Sequence, residues 1–493
     1  MSGSVSFNGI PVSIRVPGTY VEIDSSRAVR GLSAWPAKVL IAGQRLSTGT
    51  AAAGVPVRVT SAEQARTLFG RASMLAQMCA AWFRANTTTE TWALPINEPS
   101  GGVQASSVLA VGGTSTAAGT ISLLIHGRRV DVAVASGTAA AAVATAIGAA
   151  INANLDLLVT AAVTTTNVTV TARARGLEGN SIDIRHSAGA NEALPAGITL
   201  TTPAMASGTL APTADLGTAL DALGDVWFTD IITNWNDVGV LAALESRLSS
   251  QFGPMQMRDC HAWAARPEAT FSALTSFGTA RNSPHLSVMG YRNSPTPPWE
   301  WAAVLGAVCI PALAIDPARP VQTLALPGLI APVAASRFTW SERDLLLRDG
   351  ISTFRVDDGG NVLIERVVTT YQTSPAGAED ISYLDVETMK TLAFLRYDLR
   401  QMIALRYPRH KLADDGTNFA RGQAVATPGL IRAEIVARAI QWESAGLVEG
   451  IEVFKRDIIV VRSTTDPNRV DALLPPDIVN QLRVVAAQIQ FLL

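Results

Sequence analysis

Phe228-Thr229-Asp230-Ile231-Ile232-Thr233, followed by Asp237 and then Leu241, Leu244 and Leu248, is the stretch on which the fold turns. The first run has the length and β-branched content of a buried strand. The leucines fall three and four apart, the spacing of one helical face, behind an aspartate able to cap it. Upstream, Val39-Leu40-Ile41-Ala42-Gly43 reads as a strand of the same kind; downstream, Leu286-Ser287-Val288-Met289-Gly290 and the run from Val308 to Ile315 read as two more. Apolar strands alternating with amphipathic helices predict an α/β layer.

Composition interrupts that layer. Residues 101–210 hold only 10 charged side chains in 110, against 39 in 150 over residues 341–490. Within the charge-poor stretch, Thr120 to Ile125 and Asn167 to Ala172 read as strands, and the Ala-rich segment from Gly137 to Leu155 as a helix between them. This predicts a small α+β domain at 101–208, inserted peripherally and replaceable by a Gly/Ser linker. The last third is charged and helical. Thr339-Trp340-Ser341-Glu342 is a capping box, and Gly350 can close its helix. The Asp357-Asp358-Gly359-Gly360-Asn361 run turns a hairpin between Ser352–Val356 and Val362–Thr370. Asp385 can cap a helix bearing Met389, Leu392, Leu395, Leu399 and Met402; Thr427-Pro428 opens another bearing Ile431, Ile435, Ala439 and Trp442.

Charge and motif content narrow the functions. The chain of 493 residues has a formal net charge of -2 and no basic block, which gives nucleic acid no electrostatic footprint. Cys79, Cys260 and Cys309 lie far apart, against a disulfide framework or zinc ribbon. The apolar run from Trp301 to Ile315 is interrupted by Pro311 and reads as too short to span a membrane, and the first residues lack signal-peptide character. A soluble chain of cytoplasmic synthesis is expected. Nucleotide-binding, zinc-protease and nucleophile-elbow motifs are missing. Cys260-His261 are adjacent, so a strand would point them to opposite faces. Asp357-Asp358 and Asp414-Asp415 sit in glycine turns without the further oxygen ligands of a calcium loop. No catalytic residue, metal or cofactor is predicted.

The two ends are unusual. Residues 10–23 alternate like a strand around Pro11 and Pro17, which confines them to an edge or an extended arm. Residues 483–493 alternate with Val485, Ala487, Ile489, Phe491 and Leu493 on one side, a pattern that predicts a paired strand.

These segments carry a resemblance. Ile10-Pro11 with Arg15-Val16-Pro17-Gly18-Thr19-Tyr20-Val21-Glu22 resembles the opening of contractile tail sheath proteins of Mu-like bacteriophages. The likeness continues through Arg281-Asn282-Ser283-Pro284-His285, Asp316-Pro317-Ala318-Arg319-Pro320, Glu365-Arg366-Val367-Val368-Thr369-Thr370-Tyr371-Gln372, Tyr407-Pro408-Arg409 and Leu474-Pro475-Pro476-Asp477-Ile478-Val479-Asn480, in order along nearly the whole chain. It is thinnest over 101–210.

The resemblance implies a multidomain mixed α+β and α/β structural protein, not an enzyme. Its order is an extended arm (1–30), a middle α/β domain (31–100 with 209–335), the inserted domain (101–208), an inner carboxyl-terminal α+β domain (336–482) and a linking strand (483–493). It implies a subunit that polymerises as stacked hexameric rings around a tail tube, and contracts to drive the tube through the host envelope. The implied partners are other copies of itself, the tail tube protein, and baseplate and tail terminator proteins, with no nucleic acid and no membrane insertion. The implied location is the virion, after assembly in the host cytoplasm. Val12, Ile14, Val16, Tyr20, Val485, Ala487, Ile489 and Phe491 become candidates for intersubunit linking, and Arg406, Arg409 and Lys411 for tube contact. A tail-like bacteriocin or other injection device would use the same sheath. A hydrolase or transferase, the remaining reading, requires a pocket that joins His285 or His261 to an acid.

Overall fold

A computed structural model describes residues 16, 18, 32–189, 192–420 and 422–492. The chain divides into two compact units: one of Trp35–Phe394 with Asn480–Leu493, the other of Leu395–Val479 with the segment that ends at Ala34.

The larger unit opens with β1 (Lys38–Gln44), β2 (Val57–Arg58), α1 (Ala62–Phe69), α2 (Met74–Ala85) and β3 (Glu90–Ile96). The charge-poor stretch follows as β4 (Gln104–Gly113), β5 (Gly119–Ile125), β6 (Arg128–Val134), α3 (Ala140–Ala153), β7 (Val159–Thr164), β8 (Asn167–Arg175), β9 (Ile184–His186) and β10 (Ile198–Thr201). The layer then resumes with α4 (Thr213–Asp221), β11 (Asp230–Thr233), α5 (Val238–Phe252), β12 (His261–Pro267), α6 (Phe271–Thr279), β13 (Leu286–Tyr291) and α7 (Pro298–Ile315).

Six strands form one sheet in the order β13-β12-β11-β1-β3-β2, parallel except for β2. Side chains alternate through β1 to two cores. Val39 and Ile41 pack with α2 and α7, while Leu40 and Ala42 pack with α4, α5 and α6. Burial on both faces explains why these strands read as continuous apolar runs. Asp237 caps α5 as expected, its Oδ1 accepting from the amides of Gly239 (3.0 Å) and Val240 (3.1 Å).

One expected strand is a helix. Val308 to Ile315 form the second half of α7, which starts on Pro298 and carries Pro311 inside it. α7 is buried on nearly every side, so its apolar residues show no 3.6-residue period. A short apolar run of that kind does not distinguish strand from helix. With 18 residues and a mean hydropathy of 1.5, α7 is long and apolar enough to cross a membrane; 72% of it is buried inside this unit.

The insertion contains a four-stranded sheet (β10-β4-β8-β7), a three-stranded sheet (β6-β5-β9) and α3. It is not a detachable appendage. Leu109, Ile121, Ile147 and Val170 belong to the same continuous core as Ile41, Met78 and Trp299. Polar contacts fasten it as well: Arg71 to Asp156 (2.7 Å), Gln44 Nε2 to the Arg175 carbonyl (2.6 Å), and Arg128 to the buried Glu300, which also meets Arg84.

Beyond α7, the capping box of Thr339 and Glu342 opens α8 (Trp340–Arg348), and β14 (Thr353–Val356) pairs with β15 (Val362–Arg366) across the expected glycine turn. Ser352 exchanges backbone hydrogen bonds with Val288 and Gly290, so the hairpin continues from the β13 edge of the central sheet. The unit boundary therefore falls between Phe394 and Leu395, inside α9 (Val386–Arg406), whereas the sequence reading set it at 335/336.

The second unit contains the end of α9, β16 (Lys411–Leu412), β17 (Val425–Ala426), α10 (Pro428–Ser444), β18 (Val448–Glu449), α11 (Ile451–Asp457), β19 (Ile459–Arg462), β20 (Val470–Leu473) and β21 (Asp477–Ile478). Its core holds Ile435, Ala439 and Trp442 of α10, as their spacing predicts. Asp398, with no exposure, accepts from Trp442 Nε1 (2.8 Å) and the Ser33 amide (2.8 Å), which ties the segment at 33 to this unit.

Candidate functional site

A strand of a parallel sheet consumes its hydrogen-bonding edges and both its faces; a segment left with neither is a candidate for pairing elsewhere. Residues 484–492 are such a segment. Val484, Val485, Ile489, Phe491 and Leu492 are 76–101% exposed, and no ladder forms over residues 479–492. The expected strand at 483–493, whose burial the sequence reading places in a sheet shared between subunits, is unpaired over its described residues in the single chain, and Leu493 lies outside the described residues. The alternation is present, and among the described residues no strand pairs with it. Val485, Ala487, Ile489 and Phe491 all lie in this exposed run. Of the proposed arm residues, Val16 is exposed, and Val12, Ile14 and Tyr20 lie outside the described residues.

A second open edge lies at β19–β20. Among the described residues these strands pair only with each other, and Ile459, Val461 and Leu473 are each about half exposed. The ribbon rests on α10 through β19, and its outer edges have no strand partner among the described residues.

The basic candidates are on the surface of the second unit. Arg406, at the end of α9, pairs with Glu434 at 3.2 Å; Lys411 donates to Gln423 Oε1 at 3.2 Å; Arg409 is exposed between them.

The residues proposed for chemistry are packed instead. His261 Nε2 lies 2.9 Å from Ser287 Oγ, with both side chains buried. Burial, then the neighbouring Lys390 charge, drives the His261 pKa well down. Asp230 accepts from Trp263 Nε1 (2.8 Å) and Lys390 Nζ (2.5 Å). The cavity beside His261 and His285 is only about 20 Å³, room for one water but not for a substrate, which needs about 300 Å³ or more. Asp230 and His261 also begin their strands, whereas ligand crevices of parallel sheets open at the carboxyl ends. Cys260 is buried, and burial raises its thiol pKa. Asp357 accepts from the Asn361 amide at 2.8 Å, and Asp415 from the Gly429 amide at 2.9 Å, which accounts for both as turn residues. Among the described residues, no three His, Cys, Asp or Glu side chains converge on a metal position.

Sequence reasoning missed the charges buried along α9. Glu387, Lys390 and Asp398 have 0%, 7% and 0% exposure, and each meets a partner distant in sequence. Their only signal is a charged residue within the apolar stripe; the partners, Arg483, Asp230 and Trp442, have none.

Residues 211–370 match the family described as the phage tail sheath protein central domain, and residues 378–492 the phage tail sheath C-terminal domain. The chain is 40% identical over 490 residues to the Mu-like prophage FluMu tail sheath protein of Haemophilus influenzae, covering 99% of this chain and 100% of that one. It belongs to the phage tail sheath protein family. Among solved structures, the sheath tail protein of Desulfitobacterium hafniense aligns at 11% identity and a TM-score of 0.48, covering 94% of this chain and 100% of that one. A chain of the anti-feeding prophage baseplate in its contracted state aligns at 13% identity and a TM-score of 0.49, covering 97% and 99%.

Proposed function

We propose that this protein is the structural subunit of a contractile tail sheath, which polymerises as stacked hexameric rings around a tail tube and contracts to drive the tube through a host envelope. The observation that carries the reading is the exposed apolar segment 484–492, together with the open β19–β20 ribbon. Strand addition between copies would give both a partner, with backbone hydrogen bonds supplying the link and alternate side chains the register. Nine residues span about 30 Å at ~3.3 Å each. Burying their apolar side chains contributes several kcal/mol at ~25 cal/mol per Å², offset by ~1–2 kcal/mol of backbone entropy per residue ordered. Each link is modest, and its repetition at every subunit makes the mesh durable. Residues 10–23 would serve as the second arm.

In this assembly the carboxyl-terminal domain lies innermost, with Arg406, Arg409 and Lys411 towards the tube. Baseplate and tail terminator proteins bound the two ends, and the sheath is built in the host cytoplasm and resides in the virion. Contraction moves subunits from a metastable packing to a more stable one while the links hold. Deleting 484–492 should leave the thermal unfolding of the single chain unchanged and abolish tube formation in negative-stain micrographs. Tubes as long as the parent's from the deleted chain would overturn the linking role.

A further inference from the structure

Arg483 is the exception in the exposed tail. Its neighbours Leu482 and Val484 are 71% and 79% exposed, yet its own side chain is 14% exposed. Its Nη2 lies 3.1 Å from Asp385 Oδ1 and 3.0 Å from Glu387 Oε2. Both carboxylates stand at the start of α9, where the helix dipole favours negative charge. Other segments hold them from behind. Asp385 takes paired hydrogen bonds from Arg366 (2.8 and 2.9 Å), and Glu387 Oε1 accepts from the Val321 amide (3.0 Å). Gln322 Nε2 donates to the Leu482 carbonyl at 3.4 Å, beside the arginine. Glu387 has no exposure at all, and burial pushes its carboxyl upward against the pull of Arg483. Such a carboxylate is stable as an ion only with a cation beside it, and removing the partner leaves an uncompensated charge.

We propose that Arg483 is the cis anchor of the tail: its clasp on Asp385 and Glu387 fixes the tail to its own subunit and marks where the exported segment, 484–492, begins. The linking of subunits by that segment is the reading given above, on which this inference rests. The clasp sets where the free part of the link begins, directly after Arg483. It also makes the first turn of α9 the point at which tension in a link enters the subunit. Nη2 alone makes both contacts, and Nε and Nη1 are buried without a hydrogen-bond partner among the described residues; a lysine ammonium, a strongly hydrated point charge on a flexible stem, should hold the same pair less firmly.

The test uses the full chain. Cys79, Cys260 and Cys309 are buried, so a spin label can be directed to Val485→Cys or Phe491→Cys. In unassembled subunits the label at 485 should be restricted and that at 491 free. Arg483→Ala should raise the mobility at 485 to that at 491, with far-UV circular dichroism unchanged; Arg483→Lys should fall between. Glu387→Gln, which keeps the shape of the side chain, should loosen position 485 in the same direction and decides the matter should Arg483→Ala not fold. Tubes of Arg483→Ala should dissolve at a urea concentration at least twofold lower than the parent's. Unchanged mobility at 485 in both variants overturns the clasp. A released clasp with tubes as durable as the parent's overturns the anchoring role. If deleting 484–492 spares the tubes while Arg483→Ala frees position 485, the linking reading fails and the clasp stands.

Discussion

Ile41 and Ile489 sit in runs of similar apolar character, yet the first is 0% exposed and the second 90%. β1 has a strand on each side and helices over each face, so its hydrophobicity is satisfied within one chain. Among the described residues, the tail segment has neither a paired edge nor a covered face. Apolar alternation states that burial is favourable without stating which chain supplies the partner, and in a protein that polymerises the two answers coexist.

The largest expected break in this contrast concerns the insertion. Because its side chains share the core of α2 and α7, replacing 101–208 by a Gly/Ser linker should abolish cooperative unfolding and solubility, contrary to the expectation of a dispensable appendage. A soluble, cooperatively melting product would restore that expectation. Next, Ile41→Ala should cost about 2–5 kcal/mol in the single chain, as buried large-to-small changes do. Ile489→Ala should leave single-chain stability within about 0.5 kcal/mol and weaken tube assembly alone. Equal effects of the two on the melting of the single chain would erase the distinction between the regions.

A smaller effect sharpens the account of the insertion. His126 is buried at φ +40 with Nε2 accepting from the Leu158 amide (3.3 Å); burial, then the Arg128 charge, lowers its pKa to about 3. As pH falls from about 6.5 towards 3, the unfolded chain takes up a proton that the fold refuses, so stability drops. Glu178 is raised by burial to about 8. Its neutral form contributes fully below the ordinary carboxyl range, and that contribution is lost as pH rises towards 8. His126→Asn, tolerant of positive φ, should flatten the acid limb of the melting-temperature profile, and Glu178→Gln the alkaline limb. Parallel profiles for variant and parent would show that both groups titrate in the fold as they do in the unfolded chain. The smallest effect belongs to the surface: charge reversal at Arg406, Arg409 and Lys411 should weaken tube co-assembly at low salt and do little at high salt, read by co-sedimentation. Equal co-sedimentation at both salts would remove the three from the tube contact.

Where physics is local, the sequence was sufficient. The cap at Asp237, the capping box at Thr339 and Glu342, the hairpin turn at 357–361 and the strand–helix alternation around Ile231 each depend on residues a few positions apart, and each is found. Order along the chain also carried the sheath resemblance. What only the tertiary structure decided involves partners far apart in sequence. α7 is a helix whose period the sequence hides, because its less buried face, Val308, Pro311, Ala312 and Ile315, is as apolar as its buried one. The insertion shares its core with the layer because its apolar residues pack with those of both halves of the layer. Arg483 meets Asp385 and Glu387 across nearly a hundred residues. Nothing in its own neighbourhood distinguishes it from any exposed arginine, because a charge pair is selected by proximity in space and leaves no period or spacing along the chain.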